Sequence, residues 1–211
     1  MDEAYTMKKK ILSFICIGFL IGVVVCYAMY EGVTRTSGEK FCIVCHEMAP
    51  MLASYHNDVH GGAGKMGIKA QCVDCHMPHN NIFNYIFTKA KNGVVEGYIH
   101  FFKDVDQINW LENRKNRLRF VFDDGCLKCH ANFQNLPEIS PKGKQMHEHY
   151  TSLLNTDKKI GCASCHLEVG HSNLRSVLNY YAKEPEYEIY KDKPKMLEEK
   201  DKIVKELSEQ K

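Results

Sequence analysis

Cys42-Ile43-Val44-Cys45-His46 is the stretch that decides the fold, because its Cys-x-x-Cys-His pattern occurs four times in the chain. The other copies are Cys72-Val73-Asp74-Cys75-His76, Cys126-Leu127-Lys128-Cys129-His130 and Cys162-Ala163-Ser164-Cys165-His166. In this pattern both thiols bond to a haem of the c type, and the adjacent imidazole binds the iron. A disulfide framework does not require a histidine after every second cysteine, and zinc sites would need a consistent spacing between cysteine pairs. The sequence therefore predicts four covalently bound haems.

Composition and charge exclude two broad classes of protein. The 211 residues carry 28 Lys+Arg and 26 Asp+Glu, a net charge of +2, which is too balanced for a nucleic-acid binder. Aromatic residues at 10% and charged residues at 26% are typical of a folded chain and exclude disorder throughout. The two cysteines outside the motifs, Cys16 and Cys26, lie in an apolar run, where we expect them to act as small hydrophobic residues.

The N-terminal segment predicts a membrane anchor. Residues 11–30 contain no charge and, at 1.5 Å per residue, make a helix of about 30 Å, enough to cross a bilayer. Lys8-Lys9-Lys10 precedes this run and predicts an N-terminus in the cytoplasm. A cleaved signal peptide is the alternative, but Tyr27-Ala28-Met29-Tyr30 offers no small-x-small cleavage site. We therefore expect an uncleaved signal-anchor in the bacterial inner membrane, with the haem domain in the periplasm.

Five segments follow from these signals. They are a cytoplasmic N-terminus (1–10), a transmembrane helix (11–30), a polar linker (31–40), a tetrahaem domain (41–182) and a charged tail expected to form an amphipathic helix (183–211).

The expected fold class is mainly α with much irregular loop. Between about 80 and 122 apolar residues recur at helical spacing: Ile82, Tyr85, Ile86, Val94, Val95, Tyr98, Ile99 and Phe102. Gly93 and Gly97 weaken this helix and are candidate kink positions. Four haems in roughly 140 residues leave little room for a protein core, so we expect that removing a haem unfolds the domain.

Histidines outside the motifs are the candidate distal ligands. His76, His130 and His166 are the expected proximal ligands, and spacing alone favours His46 for the first haem, with Met48 packing nearby. The remaining histidines are His56, His60, His79, His100, His147, His149 and His171. We favour His60, His171 and one of the two at 147 and 149, preferring His147. His79 directly follows Pro78 after the second motif, and we expect it to point away from its own iron.

Longer motifs resemble a known family. One transmembrane segment, four Cys-x-x-Cys-His motifs and the Phe-Cys-x-x-Cys-His-Glu-Met run at 41–48 are similar to the NapC/NirT/NrfH family of membrane-anchored tetrahaem cytochromes. Asp58-Val59-His60-Gly61-Gly62, Cys-Val-Asp-Cys-His-Met-Pro-His at 72–79 and the final Cys-His-x-x-x-Gly-His at 165–171 most resemble the NrfH branch, the small subunit of cytochrome c nitrite reductase. The resemblance implies oxidation of a quinol at the membrane surface and transfer of electrons to a periplasmic reductase.

The resemblance also implies roles for three residues. It favours Met48 over His46 as the axial ligand of the first haem, and it places a lysine and an acidic residue seven positions apart beside that haem. Lys89 and Glu96 have this spacing, although the branch usually has Asp at the second position. Two helical turns separate them, so they share one face, where a carboxylate can accept a proton from a quinol and a lysine can orient its oxygen. Without the resemblance, an exposed surface pair is the more ordinary reading.

These features favour a quinol-oxidising electron-transfer subunit rather than a terminal reductase. The expected substrate is menaquinol or ubiquinol, and the expected partner in a hetero-oligomer is the catalytic subunit of cytochrome c nitrite reductase. The alternatives are a different periplasmic reductase (nitrate, N-oxide or octahaem hydroxylamine-type), or a passive multihaem relay without a quinol site. No motif supplies an open haem with convergent catalytic His, Arg and Tyr, which disfavours a reductase that acts alone.

Overall fold

The computed structural model describes residues 2–65 and 67–181, and the predicted tail helix at 183–211 lies outside them. Nine α-helices occur in the described part: α1 (Asp2–Arg35), α2 (Glu39–Cys42), α3 (Ala49–His56), α4 (Cys72–His76), α5 (Ile82–Phe102), α6 (Trp110–Asn113), α7 (Asp123–Cys129), α8 (Pro141–Leu153) and α9 (Leu174–Tyr181). Short 3-10 turns at His46–Met48, Val59–Gly61, Val105–Gln107, Arg114–Arg119, Phe133–Asn135 and Cys162–Ser164 connect them. No strand occurs among these residues, which confirms the mainly α fold class.

Helix α1 contains the predicted membrane span. Its segment Tyr5–Arg35 is long and apolar enough to cross a membrane, and none of its most apolar window is buried against the rest of the protein. The helix continues past residue 30 through the first half of the expected linker, where Arg35 and Glu31 form an ion pair of 2.8 Å one turn apart. Only residues 36–38 then separate α1 from α2, so the first haem motif follows closely on the anchor.

Helix α5 is the longest helix after the anchor. The Asn81 side chain caps it by accepting a hydrogen bond of 2.8 Å from the Asn84 backbone N–H. Its 21 residues form one uninterrupted helix through Gly93 and Gly97. A side chain at either glycine would enter open space, and no neighbouring contact requires glycine there.

The buried protein core is small, as the number of haem motifs predicts. Its centre is the contact between α3 and α9, where Ala53 packs against Val177. In the described part of the chain the fully or nearly buried apolar side chains are Leu52, Ala53, Tyr55, Met77, Tyr150, Ala163, Val177 and Leu178. Eight such side chains are few for a domain of this length, which agrees with an interior completed by haem.

Helices α4 and α7, which carry the second and third haem motifs, pack closely together. The Phe122 backbone N–H donates a 3.0 Å hydrogen bond to the Cys75 carbonyl. A side chain at Gly125 would overlap the carbonyl oxygen of Asp74, so only glycine allows this approach of the two backbones. The contact holds the middle two motifs together.

We expect Gly125→Ala to separate α4 from α7 and lower the stability of the domain, because the added methyl group collides with backbone that cannot move aside. Gly93→Ala is the matched control: it adds the same methyl group to an open helical position and should stabilise the protein by about 1 kcal/mol. Thermal unfolding of the two haem-loaded variants tests this. A melting temperature for Gly125→Ala at or above that of the wild type would contradict the packing argument.

Candidate haem and quinol site

The four Cys-x-x-Cys-His motifs contact one another in chain order. Cys42 and Cys72 lie side by side, which brings the first and second motifs together. The α4–α7 contact joins the second and third. Cys126 and Cys162 lie side by side, and α7 contacts the turn Cys162–Ser164, which brings the third and fourth together. The remaining motif cysteines are Cys45, Cys75, Cys129 and Cys165.

Three motif histidines each face a histidine from a distant segment. The ring centroids of His76 and His171 are 6.2 Å apart, those of His130 and His60 are 6.1 Å apart, and those of His166 and His147 are 6.2 Å apart. Each pair therefore combines one predicted proximal residue with one predicted distal residue.

The separation of these rings fits a metal ion held between them. Imidazole nitrogens lie about 2 Å from a bound transition metal, so a metal with one ring on each side holds the ring centroids about 6 Å apart. All three pairs have this separation. The residues present therefore fit three haem irons with two axial imidazoles each.

Hydrogen bonds orient four of the six rings. The Nδ1 atoms of His76 and His147 lie 2.8 Å and 3.0 Å from the carbonyl oxygens of Phe120 and Phe133. Since a carbonyl oxygen only accepts, each Nδ1 is the donor, and the Nε2 lone pair is left to bind a metal.

The other two oriented rings follow the same rule. His60 Nδ1 donates to the Asp58 carboxylate at 2.8 Å, and His171 Nδ1 donates to the Met51 carbonyl at 3.0 Å. Metal-binding histidines in proteins typically use their second nitrogen in this way. Asp58 is the only one of these acceptors that sequence reasoning had quoted, and only as part of a family motif.

Burial keeps one pair of rings neutral. Desolvation lowers the pKa of His76 and lowers the pKa of His171 to about 4. An imidazole binds metal only in its neutral form, so both rings are ready to bind near neutral pH.

The other candidate histidines are placed differently. His149 is exposed on α8, whereas His147 on the same helix faces His166. His79 has its Nε2 3.1 Å from the Val73 carbonyl, so this nitrogen is engaged with the backbone. His56 Nε2 lies 3.4 Å from the Glu39 carboxylate.

The first motif leads directly into the 3-10 turn His46–Met48. Met48 is partly buried and its backbone N–H donates a 3.1 Å hydrogen bond to the Cys45 carbonyl, which holds the methionine close to the motif. The side chain of His46 lies outside the described part of the structure. Met48 and His46 therefore remain the two proposed ligands of the first haem, with Met48 preferred.

A Glu47–His100 pair beside the first motif was missed by sequence reasoning. His100 Nδ1 lies 2.8 Å from Glu47 Oε1, and with the Cys45 thiol these groups lie within 4.8 Å of one another. Because Cys45 belongs to the first Cys-x-x-Cys-His motif, this cluster lies at the predicted site of the first haem. No local pattern connects residues 53 positions apart, so only the packing of α5 on the motif shows the pair.

Lys89 and Glu96 lie on the face of α5 that points to the anchor and the first motif. Lys89 Nζ donates a 2.8 Å hydrogen bond to the Thr36 carbonyl, directly after α1. Glu96 lies near Cys42 of the first motif. Partial desolvation lowers the pKa of Lys89 and raises the pKa of Glu96. The two residues thus occupy one surface between the membrane anchor and the first haem motif.

Residues 4–176 match the family model described as the NapC/NirT cytochrome c family, N-terminal region.

Curated relatives cover most of the chain. The tetraheme c-type cytochrome CymA of Shewanella oneidensis is 32% identical over 177 residues, 78% of this chain and 91% of CymA. The cytochrome c-type protein NapC of Escherichia coli is 26% identical over 166 residues, 75% of this chain and 80% of NapC. NrfH of Wolinella succinogenes is 26% identical over 144 residues, 67% of this chain and 73% of NrfH. A crystal structure of the cytochrome c nitrite reductase NrfHA complex bound to the inhibitor HQNO matches at 23% identity and a TM-score of 0.45, covering 75% of this chain and 90% of that one.

We expect His147→Ala to convert one haem from a six-coordinate low-spin to a five-coordinate high-spin form, because the ring opposite His166 is removed. His149→Ala is the control, since His149 is exposed and lies two residues further along the same helix. Electron paramagnetic resonance and absorption spectra of the two oxidised proteins give the test. A high-spin signal in His149→Ala and none in His147→Ala would exchange the assignment.

Proposed function

Because the chain belongs to the NapC/NirT cytochrome c family, we propose that it oxidises a quinol at the periplasmic surface of the inner membrane and passes the electrons to a periplasmic reductase. The observation that supports this proposal best is the position of Lys89 and Glu96. They lie between the end of the membrane-spanning helix and the first haem motif, where a quinol from the bilayer would meet an electron acceptor.

The two side chains suit the proton chemistry of a quinol. Oxidation of a quinol by two electrons releases two protons, which need an acceptor. The Lys89 ammonium can donate a hydrogen bond to a quinol oxygen and orient the ring. The Glu96 carboxylate can accept a proton, and its raised pKa brings it closer to the operating pH of a general base.

Haem c, when bound, supplies one-electron acceptors whose potentials depend on their axial ligands. We propose four haems, attached through the eight motif cysteines. The proposed ligand pairs are His76 with His171, His130 with His60, and His166 with His147, and Met48 serves the first haem. The contacts between motifs in chain order support a relay that starts beside the anchor and ends at the fourth motif.

The orientation of the protein in the membrane is part of the proposal. Lys8-Lys9-Lys10 precedes the apolar part of α1, and positively charged residues favour the cytoplasmic side. The uncleaved anchor then places everything after α1 in the periplasm.

We propose the catalytic subunit of cytochrome c nitrite reductase as the partner. The family-specific motifs of the NrfH type, from Asp58 to Gly62 and from Cys165 to His171, support this choice. A reductase for nitrate, an N-oxide or hydroxylamine is the second candidate, and it is favoured by the similarity to CymA and NapC over three quarters or more of the chain.

We expect Lys89→Ala and Glu96→Gln each to slow the reduction of the haems by a menaquinol analogue at least 10-fold, because the quinol loses its orienting donor or its proton acceptor. The measurement is the rise of the haem α-band after anaerobic mixing with the detergent-solubilised protein. Reduction by dithionite should proceed at the wild-type rate in both variants.

Lys91→Ala is the matched control for this experiment. Lys91 is exposed on the same helix, two residues from Lys89 and on another face. Equal slowing in Lys91→Ala and Lys89→Ala would point to a general effect of charge on the helix. Reduction of the wild-type protein by dithionite but not by quinol would favour the passive relay.

The pH dependence of quinol oxidation should depend on Glu96. Only the ionised carboxylate accepts a proton, and desolvation raises the Glu96 pKa above its ordinary value of 4.5. The rate should therefore rise with pH through that raised pKa, and Glu96→Gln should lose this rise. Identical pH–rate profiles for the wild type and Glu96→Gln would exclude Glu96 as the acceptor.

A further inference from the structure

Helix α5 exposes a continuous row of large apolar side chains. We call this row the apolar stripe; its members are Phe83, Phe87, Val94, Tyr98 and Phe101, each between 54% and 82% exposed. Their spacings of 4, 7, 4 and 3 residues place them within about 60° of one another around the helix. Soluble surfaces rarely carry so many large apolar groups side by side, so the stripe indicates a binding surface.

The opposite face of α5 is polar and is the face that contacts the protein. Lys89 and Glu96 lie there, and His100, one turn beyond Glu96, pairs with Glu47. The helix is therefore amphipathic in the sense opposite to that of a core helix: its polar side faces the domain and its apolar side faces outward.

The opposite, polar face of α5 lies next to the end of the membrane anchor. Besides the Lys89 contact with Thr36, the Tyr85 hydroxyl lies 3.4 Å from Ser37 Oγ. Thr36 and Ser37 directly follow the last turn of α1, whose apolar surface is wholly exposed. These hydrogen bonds hold α5 beside the C-terminal end of the anchor and leave the apolar stripe on the outward side of the helix, free to meet the lipid that surrounds the anchor.

The rest of the helix also suits a membrane interface. Lys91 beside the stripe and Lys103 after the last turn are exposed and can reach anionic headgroups. Aromatic residues are enriched at membrane–water interfaces, and three of the five stripe residues are Phe while a fourth is Tyr. At 1.5 Å per residue, α5 is about 31 Å long and offers an extended surface for such contact.

We propose that the apolar stripe of α5 is a second membrane contact, which rests among the headgroups and upper acyl chains of the periplasmic leaflet beside the anchor. The proposal needs the anchor but not quinol oxidation. If α5 also carries the quinol site, this contact holds that site at the bilayer, where the quinol resides.

Photolabelling from the lipid phase tests the proposal. The full-length, haem-loaded protein is reconstituted in nanodiscs of phosphatidylethanolamine and phosphatidylglycerol that contain a phospholipid with a diazirine in its acyl chain. After irradiation, mass spectrometry locates the labelled peptides. We expect label in the peptides that span 83–101 as well as in α1, and none at Leu167, an exposed apolar residue beside the fourth motif.

A paired variant shows that the stripe itself makes the contact. Phe87→Gln combined with Val94→Gln changes two exposed positions and should reduce the label in α5 several-fold, while the label in α1 stays constant. Leu167→Gln is the matched control and should leave both unchanged. Label confined to α1 in the wild-type protein would overturn the proposal.

Two further results would assign the stripe to another occupant. If α5 is unlabelled in nanodiscs and chemical cross-links join two copies through 83–101, the stripe is an interface between copies. If it is unlabelled and becomes protected only when a reductase is added, it is a protein docking surface. Labelling that persists in a Lys89→Ala variant with slowed quinol oxidation would keep the membrane contact separate from the quinol proposal.

Discussion

The constraint on which the structure depends is the pairing of imidazoles from distant segments at a separation that suits a metal ion between them. His171, after the last motif, faces His76 of the second, and His60, before the second motif, faces His130 of the third. These pairs tie together parts of the chain that share few buried apolar contacts. With so little protein core, the proposed binding of these imidazoles to haem iron is the interaction best able to fix the path of the chain between motifs. The carbonyl and carboxylate acceptors at Nδ1 of His60, His76, His147 and His171 orient those four rings for it.

The order of the motifs in the chain becomes an order in space. Neighbouring cysteines bring the first motif to the second and the third to the fourth, while α4 and α7 join the two halves. A chain that binds its electron carriers in sequence order and is anchored at one end has a built-in direction. In the proposed relay that direction runs from the membrane toward the fourth motif, whose Cys165 and His166 are exposed and accessible to a partner reductase.

Helix α5 relates this relay to the membrane through its two faces. The polar face, with Lys89 and Glu96, meets the end of the anchor and the first motif. The apolar face is exposed along most of the helix. The apolar side of α5 does not help to bury a core, so it is available to contact lipid. Its polar side is available to bind a quinol and to accept its protons. Substrate access and proton transfer can therefore both depend on this one helix.

Sequence alone determined the features that depend on short-range chemistry. The haem motifs are visible because attachment needs two thiols and an imidazole at fixed spacing. The anchor is visible because a bilayer requires a long apolar run. Helix α5 is visible because apolar residues recur at the period of a helix. The tertiary structure decided which histidines face each other. It also decided that His147 rather than His149 is turned toward His166, and that Glu47 meets His100. It also decided that the apolar face of α5 points outward. The physical reason is that a periodic pattern reports that a helix has two faces, but only the packing of remote segments determines what each face meets.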